Sequence, residues 1–269
     1  MKSNQYIMES DEESQRLDIK IDSKTIKQQA LWAGLKPGMR VADIGCGPGH
    51  IASILNELIQ PGGSVVGVDN SQKRLEYAKR HYSSESITYH QKDILAPLDD
   101  LGKFDFVWNR FVLEYYLSNS FDIVKNISSI LKSEGTICLI DLDQNPLNFY
   151  GMSSRLERTF QQILLELQTK TDFDPFAGRR LYSYLYDLGF EDIDINISIH
   201  SLIFGKIKDT DTFNLLKKVE VVPQKLNFIF EEYVGGYDEF YKEVESFLDN
   251  PRIFAYTPLI LCKGIKPKN

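Results

Sequence analysis

Five short apolar stretches between residues 40 and 140 alternate with helix-like stretches, and that alternation restricts the fold more than any other feature of the chain. Arg40 to Ile44 reads as a short buried strand. His50 to Leu58 reads as a helix with Ile51, Ile54, Leu55 and Leu58 on one face. Pro61-Gly62-Gly63 makes a turn before a second strand, Ser64 to Val68. Ser71 can cap a helix running to about Tyr82, with Leu75 and Ala78 inward. Ile87 to Gln91 supplies a third strand and Phe104 to Trp108 a fourth. A helix with Ile123, Ile127, Ile130 and Leu131 on one stripe follows. Gly135 ends that helical region, and Thr136 to Ile140 is the fifth strand. Strands alternating with helices imply a parallel sheet covered on both faces, and right-handed crossovers make it doubly wound.

The flanks differ. Ser10-Asp11-Glu12-Glu13 has the pattern of a capping box, so a helix is expected near the start. A second helix fits Ser23 to Ala33; Gly34 then offers a left-handed position and Pro37-Gly38 forbids continuation. Beyond Asp141 the alternation stops. Met152 to Lys170 is a long amphipathic helix, and Arg179 to Leu188 is another, closed by Gly189. Ile193 to Ile199 alternates like a strand, Asp209 to Leu248 reads as two or three aromatic-rich helices, and Ile253 to Cys262 is a last strand. The expected organisation is an N-terminal helical segment, 1–36, before a domain at 37–269. Its sheet core, about 37 to 142, is completed by strands near 193–199 and 253–262. A helical cap is inserted in the C-terminal half, at about 143–180 and 205–250.

Composition narrows the partners. The chain has 269 residues, 42% hydrophobic and 26% charged, an ordinary soluble-globular balance. Its formal net charge of -7 repels phosphate backbones and anionic lipid, so neither nucleic acid nor a membrane surface is the expected partner. Arg179-Arg180 is the one compact basic candidate, and two adjacent arginines are more often a solvated helix face. No apolar run approaches bilayer length, and Met1 to Gln5 lacks the apolar stretch of a signal peptide. Cys46, Cys138 and Cys262 are far apart and odd in number, so a reducing cytoplasm is the expected location. His50, His81, His90 and His200 show no ligand spacing, and no metal is expected.

In an open parallel sheet, ligands bind beyond the carboxyl ends of the strands, where the strand order reverses. Four strand ends carry suitable chemistry. The first runs into Asp43-Ile44-Gly45-Cys46-Gly47-Pro48-Gly49, whose glycines allow a tight turn and close approach to a ligand. The helix behind it presents an N-terminus, which favours an anionic group. Alone, such a loop is equally well an ordinary strand-to-helix turn. The second strand ends at Asp69, which can accept both hydroxyls of a ribose or can serve the following helix cap. The third is followed by Asp93-Ile94, suited to an adenine's amino group and face, or a plain loop. The fourth runs into Asn109-Arg110-Phe111-Val112-Leu113-Glu114-Tyr115.

Taken in order, these residues resemble a known family. Val41 to Gly49 looks like motif I of the class I S-adenosylmethionine (SAM)-dependent methyltransferases, Gly67-Val68-Asp69 like motif II, and Lys92-Asp93-Ile94 like the adenine-contacting motif. Phe104-Asp105-Phe106-Val107 resembles the fourth strand, and Leu131 to Thr136 the turn before strand five, with Ser133-Glu134 where the family has Pro-Gly. The likeness covers roughly residues 35–142 and is closest to small-molecule enzymes of the ubiquinone/menaquinone-biosynthesis type. It implies a Rossmann-like, seven-stranded, mostly parallel sheet whose late antiparallel strand would be residues 253–262. It also implies SAM as cofactor. Gly45 and Gly47 would approach its methionine portion, with Cys46 between them. Asp43 would orient the loop or the cofactor amine. Asp69 would take the ribose, with Asn70 beside the adenine, and Asp93 and Ile94 would take the adenine ring. Asn109 would lie near the sulfonium. Tyr6 and Arg16 could close over the cofactor, Arg16 pairing with its carboxylate; an ordinary surface helix serves equally.

The reaction expected is in-line transfer of a methyl group to a small-molecule acceptor, which needs alignment and exclusion of water more than a fixed triad. General-base candidates are Glu114, Tyr115, Asp143 and His200, each near an expected strand end. Glu114 and Tyr115 also suit a helix start, and His200 a satisfied strand-end residue. Arg179 could hold a substrate carboxylate. Phe213, Phe228, Phe230, Tyr233, Tyr237, Phe240, Tyr241 and Phe247 suit plain helix packing, a lid over an apolar or aromatic acceptor, or a homodimer contact. Three rivals stay open: a non-catalytic SAM-binding or interaction protein on the same fold, transfer of another part of SAM, and an NAD-dependent oxidoreductase. The last is disfavoured because a G-x-G-x-x-G fingerprint would want glycine where His50 stands.

Overall fold

Strand β1 (Arg40–Ile44) is enclosed because it has a parallel neighbour on each edge, β2 (Ser64–Asp69) and β4 (Phe104–Arg110). All but its first residue are buried, which is why it reads as an apolar run and not an alternating one. The computed structural model describes residues 21–144 and 148–268. The capping box at 10–13, Tyr6 and Arg16 lie outside the described residues.

The sheet grows both ways from β1. Beyond β2 lies β3 (Ile87–Gln91), parallel; beyond β4 lies β5 (Leu131–Leu142), also parallel. Then β8 (Phe254–Ile265) enters antiparallel between β5 and β7 (Glu191–Phe204). A three-residue strand, β6 (Asn148–Tyr150), pairs with the start of β8. The order is thus β3-β2-β1-β4-β5-β8, with β7 and β6 both on β8. The chain steps outward from β1 to β3, then resumes on the other side of β1 at β4. The reversal between β1 and β4 is the switch point at which such sheets bind ligands.

Helices cover both faces. On one face α1 (Ser23–Trp32), α2 (His50–Leu58) and α3 (Gln72–His81) bury Ala30, Ile54, Leu55 and Leu75 against Val41, Phe106 and Trp108. On the other, α4 (Ser120–Ser129) and α6 (Leu181–Asp187) bury Ile123, Ile127, Leu181 and Leu185 against Val107, Leu139 and Cys262. Asp22 caps α1 and Ser71 caps α3, each accepting a first-turn N–H. A third apolar cluster stands apart from these two. There α5 (Ser154–Lys170), α7 (Asp209–Leu226) and α8 (Gly236–Leu248) pack around Leu156, Val219, Tyr233, Phe240 and Phe247, at the Ile203 and Ala255 end of β7 and β8.

Several boundaries move, each for a tertiary reason. The fifth strand begins at Leu131, not Thr136. Leu131 pairs with Phe104, the register then shifts, and Glu134 (φ 60°) carries the irregularity before Thr136 pairs with Phe106. Leu131 is therefore strand and not the last residue of the helix stripe. The fourth strand runs on to Arg110 because β5 supplies Ile140 as its partner. The strand expected at 193–199 spans 191–204 because β8 continues opposite it to Phe254. Strand β6 makes an eighth where seven were expected; three residues carry no periodic signal. The helix expected from Arg179 is a 3-10 turn, Ala177–Arg180, followed by α6. No helix among the described residues is long and apolar enough to cross a membrane.

Candidate cofactor site

The glycine loop is built by backbone contacts to β2. The Gly45 and Cys46 amides donate to the Val68 carbonyl, at 2.7 and 3.0 Å. The Gly47 amide donates to Asp69 Oδ2 at 3.0 Å. Gly45 (φ 76°) has no room for a side chain: a Cβ would come within 2.3 Å of Val112 Cγ2. Gly47 (φ 53°) differs, since among the described residues nothing lies within 4 Å of where its Cβ would be. The loop is thus clamped on its β2 side and open on the other. The first turn of α2 follows, with Gly49 at its N-cap and no side chain capping it.

The side chains singled out in the sequence lie at or after the carboxyl ends of β1 to β4. Asp43 is buried, and its Oδ2 has no hydrogen-bond partner among the described residues. Burial and the charge of Asp69 push its carboxyl up to about 7, partly offset by Arg110. Asp69 is buried too; its second oxygen accepts from the Ser71 amide at 2.9 Å. Each Asp69 oxygen therefore holds one N–H and keeps acceptor capacity. Asn109, fully buried, donates from Nδ2 to the Ile44 carbonyl at 3.0 Å, tying β4 to β1, while its Oδ1 has no partner among the described residues. Asn70 is exposed, and its carbonyl accepts from Gln91 Nε2. Asp93 is exposed and accepts from the Leu95 amide, so it forms a turn of its own. The Ile94 side chain is buried in the core beside Val68. Cys46 turns its thiol into the core against Gly67, and burial with the nearby Asp43 and Asp69 holds that thiol protonated.

The residues after β4 form the other wall. Phe111 takes φ 57°, rare for a residue with a side chain, and its amide donates to the Ile140 carbonyl. Its ring lies 3.8 Å beneath the Arg110 guanidinium and meets His200 edge-on at 5.1 Å. Glu114 is buried in the Leu113–Tyr115 turn, and its amide donates to Asp141 Oδ2 at 3.2 Å. Burial and the neighbouring Glu114 push the Asp141 carboxyl well above the usual carboxylate range. Tyr115 packs edge-on against Phe173. Glu114 and Tyr115 therefore share one turn, while His200 reaches this wall from β7 through Phe111. Two of the sequence candidates are engaged elsewhere: Arg179 holds Asp143 with both arms, at 2.7 and 3.0 Å, so neither is presented free to a substrate. Among the described residues no cluster of three or more His, Cys, Asp or Glu is placed to hold a metal ion.

Sequence reasoning passed over Arg110 and Asp141. The signal for Arg110 was its place directly after Asn109; what hid it was that a strand-end arginine is ordinarily solvated. Asp141 was read only as the end of a strand. Its role in accepting the amide of Glu114 depends on the chain folding back from β4.

A family model described as a methyltransferase domain matches residues 35–182, more than half of the chain. The chain belongs to the class I SAM-dependent methyltransferase family. Among curated relatives of this methyltransferase, a 2-phytyl-1,4-naphtoquinone methyltransferase of Trichormus variabilis is 27% identical over 183 residues, covering 64% of this chain and 77% of the relative. A juvenile hormone acid O-methyltransferase of Drosophila melanogaster is 29% identical over 171 residues, 60% and 57% of the two chains. A demethylmenaquinone methyltransferase of Lactococcus lactis is 30% identical over 145 residues, 49% and 56%. Among solved structures, a Bacillus halodurans protein assigned as a methyltransferase superposes with a TM-score of 0.59 at 18% identity, over 91% of this chain and all of that one. The [4+2]-cyclase SpnF superposes with a TM-score of 0.53 at 18% identity, over 92% and 82%. At such identities the superpositions speak for the fold alone.

Proposed function

We propose that this methyltransferase uses SAM to methylate a small-molecule acceptor, apolar or aromatic in character. The observation that carries the reading is the opening at the switch point: among the described residues nothing lies over Gly47, and the Asp43 and Asn109 oxygens, buried beside the same loop, have no partner. Buried acceptors without donors are costly, so they fit a ligand that brings donors and positive charge. When bound, SAM supplies the electrophilic methyl carbon and its own thioether leaving group.

The chain's residues then have separable tasks. Gly45 and Gly47 let the methionine portion lie against backbone, and Cys46 contributes main chain only. Asp43 faces the amine, Asn109 Oδ1 the sulfonium region. Asp69 takes the ribose hydroxyls with the acceptor capacity its two amide contacts leave. Asn70, Asp93 and the Ile94 main chain border the adenine. Tyr6 and Arg16 remain proposed covers, as part of a segment 1–36 that closes the site. Glu114 is the proposed base, a buried carboxyl in the Leu113–Tyr115 turn whose amide is held by Asp141. Tyr115 and His200 are the alternatives along the same wall.

The acceptor class rests on three supports. The curated relatives are named for naphtoquinone, demethylmenaquinone and juvenile hormone acid acceptors. The cluster of α5, α7 and α8 stands at one end of the sheet as a cap with its own core. The chain carries a formal net charge of -7. A second reading, binding of SAM without methyl transfer, has one observation in its favour: a [4+2]-cyclase shares the fold.

Calorimetric titration with SAM, S-adenosylhomocysteine and NAD in parallel tests the cofactor. Micromolar binding of the two adenosyl sulfur ligands and none of NAD is expected; NAD binding with silence from SAM overturns the proposal. Methyl transfer to a panel of quinols, phenols and carboxylic acids then separates catalysis from binding alone.

A further inference from the structure

Arg110 ends β4 directly after Asn109, and it points to the face of the sheet that carries Phe106 and Trp108, because side chains alternate along a strand. Asp43 on β1 lies on that same face, alternating with Ala42 and Ile44, which pack on the other side. The two side chains thus share one face of adjacent strands, Asp43 opposite Trp108 and Arg110 two residues beyond it, and each feels the other's charge. Yet no hydrogen bond joins them. Arg110 Nε and Asp43 Oδ2 are both buried, and both lack a partner among the described residues.

Asp141 also lends the arginine its charge, but no hydrogen bond joins the two among the described residues. The Asp141 oxygens accept the Glu114 and Leu142 amides. Meanwhile the guanidinium lies over the Phe111 ring, its carbon 3.8 Å from the ring centre, and Phe111 takes a left-handed backbone at φ 57°. Residues held in rare conformations are concentrated where a side chain must be aimed. A half-buried guanidinium with a buried, unmet Nε–H beside a buried carboxylate with an unmet oxygen is the complement of a zwitterion. The amino-acid end of the cofactor is one.

We propose that Arg110 holds the α-carboxylate of the cofactor's methionine portion while Asp43 Oδ2 takes its ammonium, so that the site selects adenosyl sulfur compounds with an intact amino-acid end. This rests on the cofactor reading above. It places the carboxylate's anchor on the sheet and not on Arg16 of the N-terminal segment. An arginine suits this task because its planar fork meets a carboxylate with two parallel hydrogen bonds.

The test is a ligand series titrated calorimetrically into the full chain: S-adenosylhomocysteine, SAM, decarboxylated SAM (ammonium without carboxylate) and 5′-methylthioadenosine (neither). The wild-type protein should bind SAM about 10- to 100-fold more tightly than decarboxylated SAM, the range expected for charge-assisted hydrogen bonds. Arg110→Met should abolish that preference, weakening SAM and S-adenosylhomocysteine by the same factor and leaving decarboxylated SAM and methylthioadenosine unchanged. Arg110→Lys should recover part of it. Equal wild-type affinity for SAM and decarboxylated SAM overturns the proposal without any variant, as does an Arg110→Met protein that loses all four ligands alike. If the wild type binds none of the four, the cofactor reading fails and this assignment with it.

Discussion

Single side chains at the strand ends do two jobs at once. Asp69 fixes the Gly47 amide and the Ser71 amide while remaining available to a ligand. Replacing it with Ala therefore removes a ribose acceptor and loosens the loop. Asp69→Ala should weaken S-adenosylhomocysteine binding at least about 10-fold, since charged hydrogen bonds contribute about 1.5–3 kcal/mol. Unchanged affinity in calorimetry would dismiss the ribose assignment. The proposed contact of Asp43 with the cofactor ammonium predicts a pH-dependent affinity. Burial and Asp69 raise its carboxyl to about 7, against the pull of Arg110. A cofactor ammonium favours the ionised form, so binding must expel any proton there. Affinity should rise as pH increases through 7, by at most about tenfold per unit below it, and level off above. The Asp43→Asn protein should bind more weakly with a flatter profile between pH 5.5 and 8.5. If the wild-type profile is flat, Asp43 does not contact the amine. For the reaction itself, Glu114→Gln should leave S-adenosylhomocysteine affinity within about twofold and lower turnover about 10²-fold or more, the usual share of a general base. Normal turnover of that variant with an established acceptor would move the role to Tyr115 or His200.

Elements divide into those of the sheet that carry the proposed cofactor site and the α5, α7 and α8 cluster proposed as a cap. The cap helices bury Phe240 completely, with Tyr233, Phe230 and Phe160 against it, while Arg155 binds Glu239 and Glu243 across α5 and α8. Most of the aromatic residues that suggested a lid are thus spent on the cap's own packing; Phe213 is the one left well exposed. A cap with its own core should fail on its own. Phe240→Ala should cost about 3–5 kcal/mol, the usual range for a buried phenylalanine. S-adenosylhomocysteine affinity should stay within about twofold, with methyl transfer lost. Loss of cofactor binding alongside would show that cap and sheet are one unit, against the division at 143–180 and 205–250.

For the whole molecule, the switch point couples cofactor to stability. Ligand that binds only the folded chain adds about 2.7 kcal/mol at a hundred times its Kd. For a chain of this size that corresponds to a rise in Tm of about 5–10 °C. Thermal unfolding with saturating S-adenosylhomocysteine should show such a rise and NAD should show none; a reversal of the two would return the chain to the oxidoreductase reading.

What the sequence alone determined was whatever depends on local periodicity and on short spacings. The five core strands, the α2 and α3 helices with the Ser71 cap, the glycine loop and the ordered acids Asp43, Asp69 and Asp93 were all legible, because apolar alternation and turn chemistry are written within a few residues. Tertiary structure decided what depends on partners distant in the chain. The length of β5 and the bulge at Glu134 follow from pairing with Phe104 and from the Lys266 strand end. Strand β6 exists because β8 offers it an edge. Arg179 is spent on Asp143, 36 residues away, which no spacing rule would pair. Arg110 is the clearest case. In sequence it is one more charged residue after a strand. Only the fold buries its Nε, lays Phe111 beneath it and sets it beside Asp43, because burial and orientation belong to the packed sheet and not to the residue.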